Sequence, residues 1–193
     1  MTTFFNKIAC GFNVFPLQIA LRRQPALFGK YNNRCVGLSP HRDTKDIWVR
    51  YNNIEDKIKE IGEVHSEHDA NKEHRPVWWK AYYQLPQIRH LIFDLMHLVD
   101  GEELGTVILI KIEPGKQIYT HKDGGWSAEY YEKYFIPIQN YPGATFNFPD
   151  GQIVPNLGDV FWFNNNIEHN VTNNSSEDMI LLIVTIRSDK VKS

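Results

Sequence analysis

From residue 106 onward, the chain is a succession of short apolar runs separated by residues that form turns. About eight such runs follow one another, each of strand length. They cover residues 106–112, 117–121, 133–138, 144–148, 152–154, 160–163, 168–172 and 179–187. Turn-forming pairs such as Pro114-Gly115 and Pro142-Gly143 lie between them. Evenly spaced short strands favour a double-sheet jelly roll of the cupin kind, and a β-sandwich without a ligand cavity is the competing arrangement.

The first hundred residues have a different character. Apolar residues recur at helical spacing over 17–23 and again over 86–99, where Gly101 is expected to end the helix. Residues 52–75 are polar and charged, which predicts a solvated helix or loop that could act as a lid. We therefore expect one domain over 1–193 that is mainly β, with the N-terminal and central helices packed on one side. Residues 1–100 would form its support and 101–189 its jelly-roll core.

Charge and hydropathy exclude several classes of protein. The chain has 21 Lys and Arg against 23 Asp and Glu, so no broad basic surface for nucleic acid is indicated. The longest apolar run, 179–186, is too short to cross a bilayer, and polar residues interrupt the N-terminus where a secretory signal would be apolar. We expect a cytoplasmic protein with no membrane association. The sequence carries no mark of its oligomeric state.

Two histidines and a carboxylate form a candidate metal site. Strand alternation over 117–123 would place Tyr119, His121 and Asp123 on one face, and His169 follows the strand at 160–163. Two histidines and one carboxylate from separate strands form the facial triad of non-haem Fe(II), which leaves positions open for a 2-oxo acid and dioxygen. The alternative is that His121 and His169 are ordinary surface or core histidines. The other histidines, His41 among them, have no carboxylate at ligand spacing.

The same region resembles a known family. Residues 101–189, and less strongly 39–50, are similar to the aspartyl/asparaginyl β-hydroxylase branch of the Fe(II)/2-oxoglutarate oxygenases, especially its small bacterial and phage-type members. The segments that carry the resemblance are Leu104-Gly105, Pro114-Gly115, His121-Lys122-Asp123, the strand at 133–137, the run at 158–164 and the run at 169–173. The resemblance implies a double-stranded β-helix that binds Fe(II), the cosubstrate 2-oxoglutarate and O2. It also implies that 39–50 lines the entrance of the cavity.

Two departures from the family concern the cosubstrate. Where the family has an Arg that grips the far carboxylate of 2-oxoglutarate, ten residues after the distal His, this chain has Met179. The family motif Arg-x-His reads Lys133-Tyr134-Phe135 here. Since a thioether cannot replace a guanidinium, we expect Lys133 to bind a cosubstrate carboxylate, with Lys111 and Arg50 in reserve. Tyr119 is a further candidate contact to the cosubstrate or the substrate.

Three residues are candidates for substrate contact. Trp126 follows Gly124-Gly125 beside the metal motif and could clamp a substrate, and the resemblance adds Asp43 and Arg50. The sequence thus predicts a dioxygenase that hydroxylates an amino acid, a peptide side chain or another small metabolite, with no catalytic residues assigned beyond the metal ligands. The alternatives are a non-catalytic metal-binding or sensing cupin, and a metal-dependent cupin enzyme that does not use 2-oxoglutarate.

Overall fold

The computed structural model describes residues 4–53 and 76–188. The strands are β1 Phe5–Ala9, β2 Thr44–Asn52, β3 Pro76–Trp78, β4 Gly101–Ile112, β5 Gln117–His121, β6 Glu132–Gln139, β7 Ala144–Phe148, β8 Gly151–Ile153, β9 Val160–Phe163, β10 His169–Asn173 and β11 Met179–Ser188. The helices are α1 Phe15–Arg23, α2 Lys80–Gln84, α3 Arg89–Leu98 and α4 Trp126–Tyr130, with 3-10 turns at Pro25–Leu27 and Pro86–Ile88. Among the described residues, no helix is long and apolar enough to span a bilayer.

The strands form two antiparallel sheets. The larger has seven strands in the order β1-β9-β6-β11-β4-β2-β3, and the smaller has four in the order β5-β10-β7-β8. Buried side chains from both sheets share one apolar cluster, in which Phe135 and Ile183 of the larger sheet join Phe146 and Val171 of the smaller. The two sheets therefore pack face to face, and the predicted double-sheet jelly roll is confirmed.

The central strand of the larger sheet, β11, is buried on both faces. Met179, Leu181 and Ile183 point into the space between the sheets. Ile180, Leu182 and Val184 point to the opposite side, where they join the apolar cluster beneath the helices. A strand covered on both faces has no polar alternation, and this explains the unbroken apolar run at 179–184.

Helices α1, α2 and α3 cover the outer face of the larger sheet. Leu17 and Leu21 of α1 and Leu91, Ile92 and Leu95 of α3 are buried in the cluster that the helices share with this sheet. The molecule thus has three layers, in which helices, larger sheet and smaller sheet follow one another. The predicted placement of helices on one side of the jelly roll is confirmed.

The division at residue 101 is less sharp than the sequence suggests. β1, β2 and β3 all precede it and all belong to the larger sheet. Residues 1–100 were expected to be a helical and loop-rich support, and they contribute three strands to the larger sheet as well as helices. Residues 54–75 of the expected lid at 52–75 lie outside the described part of the chain.

Gly101 has a different role from the one its position suggests. The left-handed turn after α3 is made by Asp100, whose φ is 51°, and Gly101 is already the first residue of β4. A Cβ at Gly101 would lie 2.6 Å from Cγ2 of Ile186 on β11. Glycine is needed at this position because β11 packs against the backbone there, and Asp100 rather than Gly101 ends the helical segment.

Replacing Leu91 with Ala is expected to lower the free energy of unfolding by about 3 kcal/mol, because it opens a cavity between α3 and the larger sheet. Leu98 lies on the same helix but is 43% exposed, so Leu98→Ala is the matched control and should cost less than about 1 kcal/mol. Urea denaturation measures both. Equal losses in the two variants would contradict the packing described here.

Candidate metal centre

Three side chains converge where β5 and β10 meet. His121 is the last residue of β5 and His169 the first of β10, and the two lie directly opposite each other in the pairing of these strands. Asp123 follows two residues after His121, and its backbone N–H donates to the carbonyl of Asn165, 2.9 Å away. One ligand atom from each of His121, Asp123 and His169 lies within 4.8 Å of the others. The structure therefore brings together the triad that the sequence predicts.

Backbone carbonyls orient both imidazoles. Nδ1 of His121 lies 2.7 Å from the carbonyl oxygen of Tyr119, and Nδ1 of His169 lies 2.8 Å from that of Ile167. A carbonyl only accepts, so each Nδ1 carries a proton, and each Nε2 of a neutral ring keeps its lone pair. Nε2 of His121 is buried and finds no hydrogen-bond partner among the described residues. Such an orphaned nitrogen beside a carboxylate fits a divalent metal ion.

Lys133 sets the charge of the site from the facing sheet. Its Nζ lies 2.5 Å from Oδ2 of Asp123. Burial of Asp123 acts to raise the pKa of its carboxyl, but the Lys133 ammonium and the nearby imidazoles outweigh burial and hold the pKa well below its usual range. Burial, with a smaller effect of Lys133, lowers the pKa of His169 to about 4. The carboxylate is thus ionised and the His169 imidazole neutral near pH 7, as metal binding requires.

A bulge in β5 separates Tyr119 from the triad. Ile118 lies opposite Val171, and His121 lies opposite His169. From one pair to the next the chain advances three residues in β5 but two in β10, so β5 bulges here. Ile118, which is buried between the sheets, therefore shares the inward face with His121. The hydroxyl of Tyr119 instead donates to Asp43, 3.0 Å away. The alternation expected over 119–123 is broken, and the structure places Tyr119 with Asp43 rather than on the face of His121.

Lys111 and Arg50, the two alternative candidates for binding the cosubstrate, lie away from the triad. Lys111 is on the side of the larger sheet that faces the helices, where its Nζ is 3.2 Å from Asp178 and 5.4 Å from the ring centre of Phe28. Nε of Arg50 donates to the carbonyl of Leu104, 3.1 Å away. Of the three predicted cosubstrate cations, Lys133 is the one that the structure brings to the triad.

Met179 and Trp126 have contrasting surroundings. Met179 is fully buried between the sheets and lies opposite Ile112 of β4, so the position at which the family has an Arg is apolar throughout. Trp126 is 44% exposed at the start of α4, and its ring meets that of Tyr130 edge to face at 5.6 Å. The structure thus places Trp126 at the surface, three residues after Asp123.

The site also contains a residue to which the sequence assigned no role. The ring centre of His41 lies 5.0 Å from that of His121, and His41 is 8% exposed. Nη2 of Arg34 lies 2.9 Å from Nε2 of His41, and Nη1 of Arg34 lies 2.5 Å from Oδ2 of Asp46. We call His41, Arg34 and Asp46 the buried triplet. Its members come from a loop and the start of β2, so no strand or helix period marks them as neighbours.

Comparison with known proteins identifies related sequences and folds. A family model described as aspartyl/asparaginyl beta-hydroxylase matches residues 55–189. No curated protein sequence matches the chain. A 2OG-Fe(II) oxygenase family oxidoreductase from Burkholderia pseudomallei is 15% identical, with a TM-score of 0.55 over 86% of this chain and 77% of that chain. The viral collagen prolyl hydroxylase of Paramecium bursaria Chlorella virus-1, solved as a 2OG complex, is 14% identical, with a TM-score of 0.53 over 97% of each chain. These similarities concern the fold.

The buried triplet predicts a stability difference between two aspartates. Replacing Asp46 with Asn removes the carboxylate that pairs with the buried Arg34 guanidinium, so the free energy of unfolding should fall by about 3 kcal/mol. Asp178→Asn is the control, because its pair with Lys111 lies partly in solvent and should contribute less than about 1 kcal/mol. Chemical denaturation distinguishes the two. A loss for Asp46→Asn no larger than that for Asp178→Asn would rule out a strong buried pair.

Proposed function

The chain belongs to the aspartyl/asparaginyl beta-hydroxylase family, and on that basis we propose that it is an Fe(II)- and 2-oxoglutarate-dependent hydroxylase with its metal held by His121, Asp123 and His169. The observation that carries the proposal is the convergence of these three ligand atoms within 4.8 Å. Their protonation states, two imidazoles that present Nε2 and one ionised carboxylate, suit a divalent ion. The donor set of nitrogen and oxygen is the one that non-haem iron prefers.

The metal would supply the oxidation of an unactivated C–H bond by dioxygen, coupled to decarboxylation of the oxo acid. The protein's own residues hold and orient the reactants. The carbonyl contacts at Nδ1 fix the direction of both imidazoles. The hydrogen bond from the backbone of Asp123 to Asn165 ties the carboxylate loop to the segment before β10. Together these contacts leave little rotational freedom to the ligands, so that metal binding requires little rearrangement.

Lys133 is our candidate for binding a carboxylate of the oxo acid. It lies on β6 with its ammonium beside Asp123 and 5.7 Å from the ring centre of Phe163, in the space between the sheets. An anion that enters this space next to the triad would meet this ammonium. Met179 offers no charge at the position where the family has an Arg. Lys133 would then exchange part of its contact with Asp123 for the cosubstrate.

The substrate would be an amino acid, a peptide side chain or another small metabolite. Trp126 is a candidate contact because it exposes a large apolar surface three residues from Asp123. Asp43 is a second candidate contact, because it accepts a hydrogen bond from the hydroxyl of Tyr119 on β5. Arg50 is a candidate through family resemblance alone. In the structure its guanidinium donates to the carbonyl of Leu104 and lies 5.1 Å from the ring centre of Trp78.

The proposal is tested by anaerobic titration with Fe(II) and then 2-oxoglutarate, followed by the visible charge-transfer band that chelation of the oxo acid produces. We expect a saturable band for the wild type. Asp123→Ala should weaken Fe(II) binding by at least about tenfold and abolish the band. Asp178→Ala, a carboxylate on the far side of the larger sheet, serves as the control and should behave as the wild type.

Unchanged iron affinity in Asp123→Ala would refute the assignment of the ligand. Iron binding by the wild type without a band would favour the alternative of a metal-binding cupin that does not use 2-oxoglutarate. The apolar surroundings of Met179 are the observation that supports this alternative.

The role of Lys133 is tested with a matched pair of lysines. Lys133→Met should raise the dissociation constant for 2-oxoglutarate by at least about tenfold, since a charge-assisted contact is lost. Lys111→Met removes a lysine from the other face of the same sheet and should leave this constant unchanged. If Lys133→Met weakens iron binding and leaves 2-oxoglutarate affinity intact, Lys133 orients Asp123 and does not bind the cosubstrate.

A further inference from the structure

The segment before β2 contributes a side chain to the metal centre. The backbone N–H of Tyr119 donates to the carbonyl of Pro40, 2.9 Å away, and this bond ties the segment to β5. The next residue, His41, meets His121 ring to ring, nearly perpendicular at 73°. His41 precedes the residues matched by the family model, 55–189. The resemblance of 39–50 implies only that this segment lines the cavity entrance, and it is the structure that brings the His41 ring against His121.

The buried triplet decides which nitrogen of His41 carries a proton. A guanidinium only donates, so Nε2 of His41 must accept the hydrogen bond from Arg34. A ring protonated at both nitrogens would place two donors against each other at 2.9 Å. The ring is therefore neutral with its proton on Nδ1. Asp46, which pairs with the other end of the guanidinium, holds Arg34 in this orientation.

The Nδ1–H group of His41 is a donor that is available to a ligand. Nδ1 of His41 is buried and finds no hydrogen-bond partner among the described residues. A buried donor without a partner is costly, so the group is expected to have a partner in the functional complex. Because its Nδ1 holds the proton, His41 has no free lone pair for a metal. What it can bind is an acceptor that enters the site.

The charges around the site indicate what this acceptor is. Lys133 reaches the triad from β6, and the Arg34 guanidinium lies behind His41. Each of these cations is paired with a carboxylate, Lys133 with Asp123 and Arg34 with Asp46, so their charges are balanced in the protein alone. With a divalent ion bound at the triad the site would carry excess positive charge, and the ammonium of Lys133 and the N–H of His41 would then suit an anion with more than one carboxylate.

We propose that Nδ1–H of His41 donates a hydrogen bond to a carboxylate oxygen of the 2-oxo acid bound at the metal, and that Arg34 and Asp46 are positioning residues that fix its tautomer. This inference rests on the proposed function. His41 would thus add a second contact to the cosubstrate besides that of Lys133. A residue outside the family match would supply part of the cosubstrate contact that Met179 cannot make.

The test uses two amide substitutions that differ in where they place a donor. The amide nitrogen of Asn comes near the position of Nδ1, whereas that of Gln comes near Nε2. His41→Gln should raise the dissociation constant for 2-oxoglutarate by about tenfold, and His41→Asn by clearly less. Fe(II) affinity should stay within about twofold of the wild type in both. Anaerobic titration of the full chain with Fe(II) and then 2-oxoglutarate gives both constants.

A second measurement does not depend on the loaded enzyme. The ¹⁵N chemical shifts of His41 in the metal-free wild type should show a protonated Nδ1 and an unprotonated Nε2. Replacing Arg34 with Met together with Asp46→Asn removes both charges of the buried pair at once. The tautomer of His41 should then no longer be fixed, which a merely structural role for Arg34 would not predict.

Each other outcome overturns the inference. A proton on Nε2 in the wild type contradicts the tautomer argument directly. If 2-oxoglutarate binds the wild type and His41→Gln equally well, the inference fails and the proposed function stands. If the wild type binds iron but no 2-oxoglutarate, both fail. If both His41 variants lose iron, His41 is a metal ligand and not a donor to the cosubstrate.

Discussion

The pairing of β5 with β10 is the interaction on which the candidate site depends. It sets His121 opposite His169, and the carbonyl groups at the strand ends then orient both rings. Because side chains alternate along a strand, a slip of one residue in this pairing would turn one of the histidines out of the interior. The bulge in β5 is therefore part of the site. It brings His121 inward although Ile118, three residues earlier, also points inward.

Burying a carboxylate beside two imidazoles has an electrostatic cost that the facing sheet offsets. Lys133 supplies the opposite charge across the space between the sheets. The Arg34 guanidinium offsets the cost of burying Asp46 in the same way. This pair also fixes the tautomer of a third group, His41. In both cases the ion pair does more than stabilise the fold, because it sets which atoms are free to bind.

Much of the architecture could be predicted from the sequence because its signals are local. The strands at 117–121, 144–148 and 160–163 were predicted at their observed bounds, since each lies between turn-forming residues. β2 was missed because its charged residues Lys45, Asp46 and Arg50 hide the apolar pattern, although Asp46 is fully buried. Of the triad, His121 and Asp123 are marked by their spacing within one run, and His169 by the apolar strand at 160–163 that precedes it. The position of Tyr119 depends on a bulge and that of His41 on a loop, and neither leaves a periodic mark in the sequence.

The position of β11 in the chain affects how the protein can be made. This strand lies in the centre of the larger sheet, between β4 and β6, yet it follows every other described strand in sequence. During synthesis, β4 and β6 therefore leave the ribosome with apolar strand edges that have no partner until residues 179–188 arrive. Such edges are prone to associate with other chains. These two edges therefore stay unpaired for longer than they would in a sheet whose strands pair in chain order.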